Sequence, residues 1–403
     1  MAFEKQYKKF LVRADLLRPS STIDITQYVT SVSVKKNYLE HVFPLFVIGF
    51  KMPSTVRDII RDENVEISLS VMSFNYSDTN SMAQEENNAV YADEMLYETI
   101  LRLYDKPFTS TYSAKDIDTD ESAENAPFIE YVVTGIPKDL IERNSDIINE
   151  VFSDAKTTSM VANILTTSLA KTGELYFESG DNARRYKSAI VPPLTPVSAI
   201  RFIDSVYSLY NNGSCALFMD MNKTYCYNML STTREMSKTF IYEHVPSYDT
   251  AHTTNITTSF DSETNTMKQV GNKPPIFVDN NRITKDIVGS NATYYSYGES
   301  FDIVTRNNSR TSDYYKKRYF WNPHGRMGEE TAFNNILADA RVIGMSFNGV
   351  NPEFFTPDTR IIVNSEFDNI AGNYFITEVG YILTSNDMKE YSAEISMSLK
   401  KIN

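Results

Sequence analysis

The run Lys187–Asn228, KSAIVPPLTPVSAIRFIDSVYSLYNNGSCALFMDMNKTYCYN, leaves a strand-like pattern, enters a helix and returns through a hairpin. Ile190-Val191 is a short apolar segment. Thr195 then offers a helix N-cap, and Pro196 fits the first helical position, where a missing N–H costs nothing. Ile200, Ile203, Val206, Tyr207 and Tyr210 recur at helical spacing and predict one apolar face, broken by Asn211-Asn212-Gly213. Ala216 to Met219 and Tyr225 to Met229 predict paired strands turning around Asn222-Lys223, with Asp220 serving the turn. In that hairpin Cys226 is expected nearer Met219 than Cys215, which favours two buried thiols over a bridge. Just upstream, Met160, Val161, Ile164, Leu165 and Leu169 predict another helix, capped by Thr157 or Ser159 and stopped at Gly173.

Working outward, both flanks are strand-like. Phe10-Leu11-Val12, then Ile23, Ile25 and Val29, then Val32 and Val34, then Pro44 to Ile48 predict strands, and Val65 to Val71 alternates cleanly. A short helix is expected after Pro53, with Val56, Ile59 and Ile60 on one face. Further strands are expected at Leu96 to Tyr104 and Phe128 to Val133, separated by polar loops at Asp78 to Ala89 and Ser110 to Ala126. Downstream, His244 to Arg310 is rich in Thr, Ser and Asn, with modest strands such as Pro275 to Val278. A helix is predicted at Glu329 to Ala340, followed by strands at Val342 to Phe347, Arg360 to Val363, Tyr374 to Tyr381 and Tyr391 to Leu399. The chain reads as a β-rich α+β protein in three parts, 1–150, 151–245 and 246–403.

Composition bounds the function. A chain of 403 residues exceeds the ~250–300 residues that one core usually serves, so several domains are expected. Tyr (26) and Phe (23) are abundant, and the 14 Gly are about half the usual ~7% share, a balance that suits pleated sheets. The net charge of −13 disfavours broad contact with a phosphate backbone. Tyr314 to Phe320 does interleave cations with aromatics as single-strand binders do, but a solvated strand face explains it more simply. Two cysteines make no disulfide framework. No cationic leader and no long apolar run is visible, so neither secretion nor membrane insertion is expected.

Chemistry is hard to find. Asp116, Asp118 and Asp120 alternate as in a calcium loop, but Glu121 occupies the turn position that needs Gly, and Pro127 stands where the bidentate Glu belongs. His41, His244, His252 and His324 lack metal-ligand spacing. Glu329-Glu330 could be offered as paired carboxylates for glycan hydrolysis, yet neighbours at a helix start diverge, and acids there suit the helix dipole. No nucleophile elbow or phosphate-binding glycine loop occurs. The expectation is a non-enzyme with no catalytic, cofactor-binding or metal residues.

The order of elements resembles the baseplate hub proteins of contractile-tailed bacteriophages, in which two tail-tube-like β-barrel domains flank a smaller α+β insertion. Three stretches carry the resemblance. Ile23 to Val34 with Phe43 to Ile48, the Pro53 helix and Val65 to Met72 look like the opening of a tube-type barrel. Ile190 to Asn228 is similar to the hub insertion. Phe355-Thr356-Pro357-Asp358-Thr359-Arg360 with Ala371 to Ile376 looks like the second barrel. The resemblance implies a homotrimer whose six barrels form a pseudo-sixfold ring joining tail tube to central spike. It also implies spike, tube or tube-initiator and baseplate wedge proteins as partners. DNA would pass the lumen without specific binding, and the protein would reside in the virion after assembly in the host cytoplasm. Alternatives are another tail component, such as a wedge, tube-initiator or distal tail protein, or a glycan-binding or glycan-hydrolysing tail protein.

Overall fold

The structure is a computed structural model describing residues 7–38, 41–53, 65–76, 94–105, 128–170, 173–211, 215–228, 231, 234–245, 257–271, 275–277, 292–297, 300–306, 315–321, 342–348, 350–366, 370–385 and 391–402. The first part holds β1 (Tyr7–Arg18), β2 (Ser21–Asp24), β3 (Val29–Asn37), β4 (Leu45–Pro53), β5 (Glu66–Tyr76), β6 (Glu94–Asp105) and β7 (Phe128–Pro137). The middle part holds α1 (Lys138–Arg143), β8 (Ile148–Lys156), α2 (Thr157–Ile164), β9 (Glu174–Phe177), β10 (Arg185–Leu194), α3 (Pro196–Tyr207), β11 (Cys215–Met219) and β12 (Lys223–Asn228). Then come β13 (Lys238–His244), β14 (Thr257–Asp261), β15 (Thr266–Gly271), β16 (Ile276–Phe277), β17 (Ala292–Tyr297), β18 (Ser300–Arg306) and β19 (Tyr315–Trp321). The chain closes with β20 (Val342–Asn348), β21 (Thr359–Asn364), β22 (Gly372–Ser385) and β23 (Tyr391–Ile402).

Alternation of side chains builds the main sheet. Ile67, Leu69 and Val71 on β5 are fully buried while Glu66, Ser68 and Ser70 are not, and Phe10, Val12, Ala14 and Leu16 do the same on β1. The pairings run β22-β3-β4-β7-β6-β5-β1-β23, and β23 pairs back onto β22. These antiparallel strands therefore close on themselves, with Phe10 opposite Tyr391 at the junction of β1 and β23. The same hairpin also seeds an open extension. From β22 it continues through β21, β13, β15 and β14, and from β23 through β20 and β16. The first and last parts of the chain thus share one sheet.

Strand β22 changes partners along its length. Gly372 to Phe375 pair with β21, and Glu378 to Thr384 pair with β3. Between them the register against β23 shifts at Thr377. Before that bulge Tyr374 and Ile376 are buried, and after it Val379, Tyr381 and Leu383 are. One extra residue inverts the inward parity, which keeps an apolar face inside while the strand bends to a new neighbour.

Among the described residues two hydrophobic cores form, and the β11–β12 hairpin is a wall between them. Ala216, Phe218, Tyr225 and Tyr227 face the sheet core, while Leu217, Met219 and Cys226 face a second core with α2, α3 and β10. A strand buried on both faces needs no polar alternation, which explains the apolar run CALFM. Strand β9 joins this hairpin in parallel alongside β12, and β8 pairs with β10.

Several local expectations need correction. Helix α3 ends at Tyr207 rather than Tyr210, because Ser208 turns to φ 57° and the Asp204 carboxylate accepts the backbone N–H of Leu209 at 3.1 Å and of Cys215 at 3.1 Å. Helix α2 continues as a π turn over Leu165–Leu169 and stops at Ala170, before Gly173. Cys226 stands opposite Leu217, one diagonal step from both Met219 and Cys215, and its Sγ lies 3.4 Å from that of Cys215. The helices expected after Pro53 and at Glu329 to Ala340 lie outside the described residues. Among the described residues no helix is long and apolar enough to cross a membrane.

Phe218 is fully buried and meets Tyr38 edge-on at 4.8 Å between ring centroids. Phe218→Ala should cost about 3–5 kcal/mol in urea denaturation; a loss below about 1 kcal/mol would mean the hairpin does not seal the sheet core.

Candidate functional site

Among the described residues the most concentrated set of buried ionisable groups lies where the hairpin meets the main sheet. On β3 the inward positions are Val32, Val34 and Lys36, so the strand's own period places an ammonium in the core. Lys36 is 1% exposed. Its Nζ donates to Asp220 Oδ2 at 2.7 Å and to Glu353 Oε2 at 2.6 Å. Asp220 comes from the β11–β12 turn, whose backbone it also shapes through its N–H to the Lys223 carbonyl at 2.8 Å. Glu353 sits in a single 3-10 turn, Pro352–Phe354, whose N-cap Asn351 accepts the Glu353 N–H at 3.0 Å.

Two tyrosines extend the network. Tyr381 on β22 donates its hydroxyl proton to Glu353 Oε1 at 2.8 Å. That proton being committed, Tyr97 on β6 is the donor across the 2.7 Å contact between the two hydroxyls. Tyr38 donates to the Phe355 carbonyl at 2.8 Å. Segments from all three parts of the chain are thereby tied to one point.

Burial by itself would push the Lys36 ammonium toward neutrality, but the charges and hydrogen bonds of Asp220 and Glu353 outweigh it and raise its pKa above the usual lysine value of 10.5. Lys36 is therefore locked as a cation and has no lone pair to act as base or nucleophile. Burial likewise raises Tyr38, Tyr97 and Tyr381 well above the ordinary tyrosine range. These groups hold one another.

A second contact fixes the far end of the same turn. Lys223 Nζ reaches Asp358 Oδ2 at 3.0 Å and lies 5.5 Å from the centroid of Tyr225. Asp358 is buried and also accepts Ser237 Oγ at 2.5 Å and Thr356 Oγ1 at 2.6 Å. Desolvation opposes its charge, yet these hydrogen bonds and Lys223 leave its pKa below the usual carboxylate value. The Arg234 guanidinium is sandwiched between Tyr227 and Phe375, 4.2 and 4.3 Å from the ring centroids. Arg143 of α1 donates to the Met221 carbonyl at 3.2 Å and pairs with Asp139.

The candidates raised from sequence fall elsewhere. Asp116 to Glu121, His252, His324 and Glu329-Glu330 lie outside the described residues. His41 follows β3, its N–H bonded to the Asn37 carbonyl, and His244 is buried with Nδ1 3.2 Å from Ser365 Oγ. The basic and aromatic run forms β19, paired with β18. Among the described residues no group of three or more His, Cys, Asp or Glu is placed to hold a metal. Sequence reading gave Asp220 to the turn alone and missed Lys36, although a lysine in phase with Val32 and Val34 was the signal.

Lys36→Met should destabilise the protein by about 3–5 kcal/mol near neutral pH, because two carboxylates lose their cation in a dry site. Combining it with Asp220→Asn and Glu353→Gln should recover most of that loss. Because the folded pKa of Lys36 is raised, its stabilisation is complete below 10.5 and disappears as pH climbs through the folded value. Urea titrations of wild type and variant from neutral to strongly alkaline pH should therefore converge at the alkaline end; a constant gap would contradict the account.

The tail protein from Neisseria meningitidis MC58 superposes with a TM-score of 0.45 at 9% identity, covering 96% of this chain and 96% of that one. The 43 kDa tail protein of prophage MuSo2 from Shewanella oneidensis gives 0.44 at 9% identity, covering 96% and 98%. The E. coli c3393 protein, described as a component of the type VI secretion system, gives 0.39 at 7%, covering 93% and 74%. No curated protein sequence matches. A family model described as bacteriophage PBS1 gene 109 protein matches residues 6–352, and the chain belongs to that family.

Proposed function

We propose that this protein is a structural component of a phage tail and acts as its baseplate hub. In this reading the closed strand circuit is one tube-like barrel domain, the extension carried by β20, β21 and β13 belongs to a second, and the segment from α1 through β12 forms the α+β insertion between them. Three copies would then present six barrels in a ring, matching a threefold spike to a sixfold tube. Its partners would be a central spike, the tail tube or tube-initiator and wedge proteins, in the virion baseplate. The protein would work by holding geometry, without catalysis, and its acidic balance would let DNA slide past.

The observation that carries the reading is the C-terminal hairpin, whose two strands serve both the closed circuit and the open extension of a single sheet. A shared hairpin fixes two strand assemblies in one chain at a set spacing, which is what a ring of alternating domains requires. Family membership supports the phage setting. The second reading is another tail part, such as a wedge, tube-initiator or distal tail protein.

Light scattering and electron microscopy of the purified chain should show a trimeric ring with a sixfold-like outline, and gold-labelled antibody should mark the baseplate of intact virions. A compact monomer with affinity for host glycans would overturn the proposal, as would labelling on the tail tube or capsid.

A further inference from the structure

The β11–β12 hairpin carries both cysteines of the chain. Their sulfurs lie 3.4 Å apart on adjacent antiparallel strands, within non-bonded contact and without an intervening side chain. The two differ in access: Cys226 is fully buried in the second core, whereas Cys215, at the start of β11, is partly exposed. That asymmetry is the arrangement of an attacking thiol beside a resolving one. Cys215 is the first residue of its strand, its N–H held by Asp204 while its side chain lies diagonally across from Cys226, and a side-chain movement of about 1.4 Å would bring the sulfurs to bonding distance.

We propose that Cys215 and Cys226 form a reversible disulfide site whose co-substrate is a low-molecular-weight disulfide of the glutathione class. The Cys215 thiol loses its proton to solvent, and the thiolate attacks one sulfur of the small disulfide. A Cys215 mixed disulfide forms, and one small thiolate leaves. The Cys226 thiol passes its proton to the departing small thiolate as its sulfur attacks Cys215 Sγ and expels that second small thiol. Both leaving thiolates take up the two protons. The cysteines lose two electrons and the small disulfide gains them, so the exchange runs backward under excess small thiol. The product staples β11 to β12 within the wall that separates the two cores. The site is a property of the hairpin and does not depend on the tail assignment.

The full chain, kept native in glutathione disulfide and then unfolded in an alkylating reagent, should retain no modifiable thiol. Its mass should fall by two hydrogens, and a digest should join the Cys215 and Cys226 peptides. Added dithiothreitol should restore both thiols. Cys215→Ser should leave Cys226 reduced in the native protein, and Cys226→Ser should stop at a stable glutathione adduct on Cys215. The proposal is overturned if the wild type keeps both thiols, stops at the adduct, links only between chains, or forms the internal bridge only after unfolding.

Discussion

A lysine ammonium inside a sheet core is tolerated only where opposite charge meets it, and here that charge arrives from two distant places in the chain. Lys36 belongs to β3, Asp220 to the hairpin of the α+β part, and Glu353 to the turn before β21. Apolar burial supplies most of the stability, since a buried ion pair roughly repays its own desolvation. The triad supplies position. Sliding the hairpin by one residue would exchange Phe218 for Met219 on the sheet side and carry Asp220 away from Lys36, so both the apolar and the ionic terms select one register.

The same logic accounts for the abundance of tyrosine. Tyr38, Tyr97, Tyr374, Tyr381 and Tyr391 are buried in the sheet core, and each places its hydroxyl on a defined oxygen: a backbone carbonyl of Phe355, Ile370 or Val29, the Glu353 carboxylate, or the paired Tyr381 hydroxyl. Such side chains bring the area of phenylalanine and the directionality of a hydrogen bond. They let strands far apart in sequence be pinned in register without extra charge.

Much of this was legible in the residues themselves. The apolar triplet Phe10-Leu11-Val12 located β1, period-two alternation located β5, and Thr195-Pro196 marked the start of α3, because these signals are local. Strands β8 and β9 were not legible. Along β8, Val151 is 63% exposed and the polar and apolar positions do not alternate, so its pairing with β10 is set by tertiary structure. The end of α3 was misjudged because the Asp204 carboxylate takes over the cap, an interaction that apolar spacing does not encode. The closure of the sheet by β22 and β23 depends on contacts hundreds of residues apart, and no local pattern announces it. The site was half visible: the phase of Lys36 betrays a buried cation, whereas its partners are fixed only when the three parts assemble.

The central claim is that one ionic point couples the hairpin, β3 and the turn at Pro352–Phe354. Hydrogen exchange on Lys36→Met against wild type tests it most directly. The account predicts that protection falls together in residues 215–228, in 29–37 and in 350–359, while α2 and the β8–β10 pair, packed in the second core, change little. Loss of protection confined to β3, with the hairpin and the turn unchanged, would contradict it.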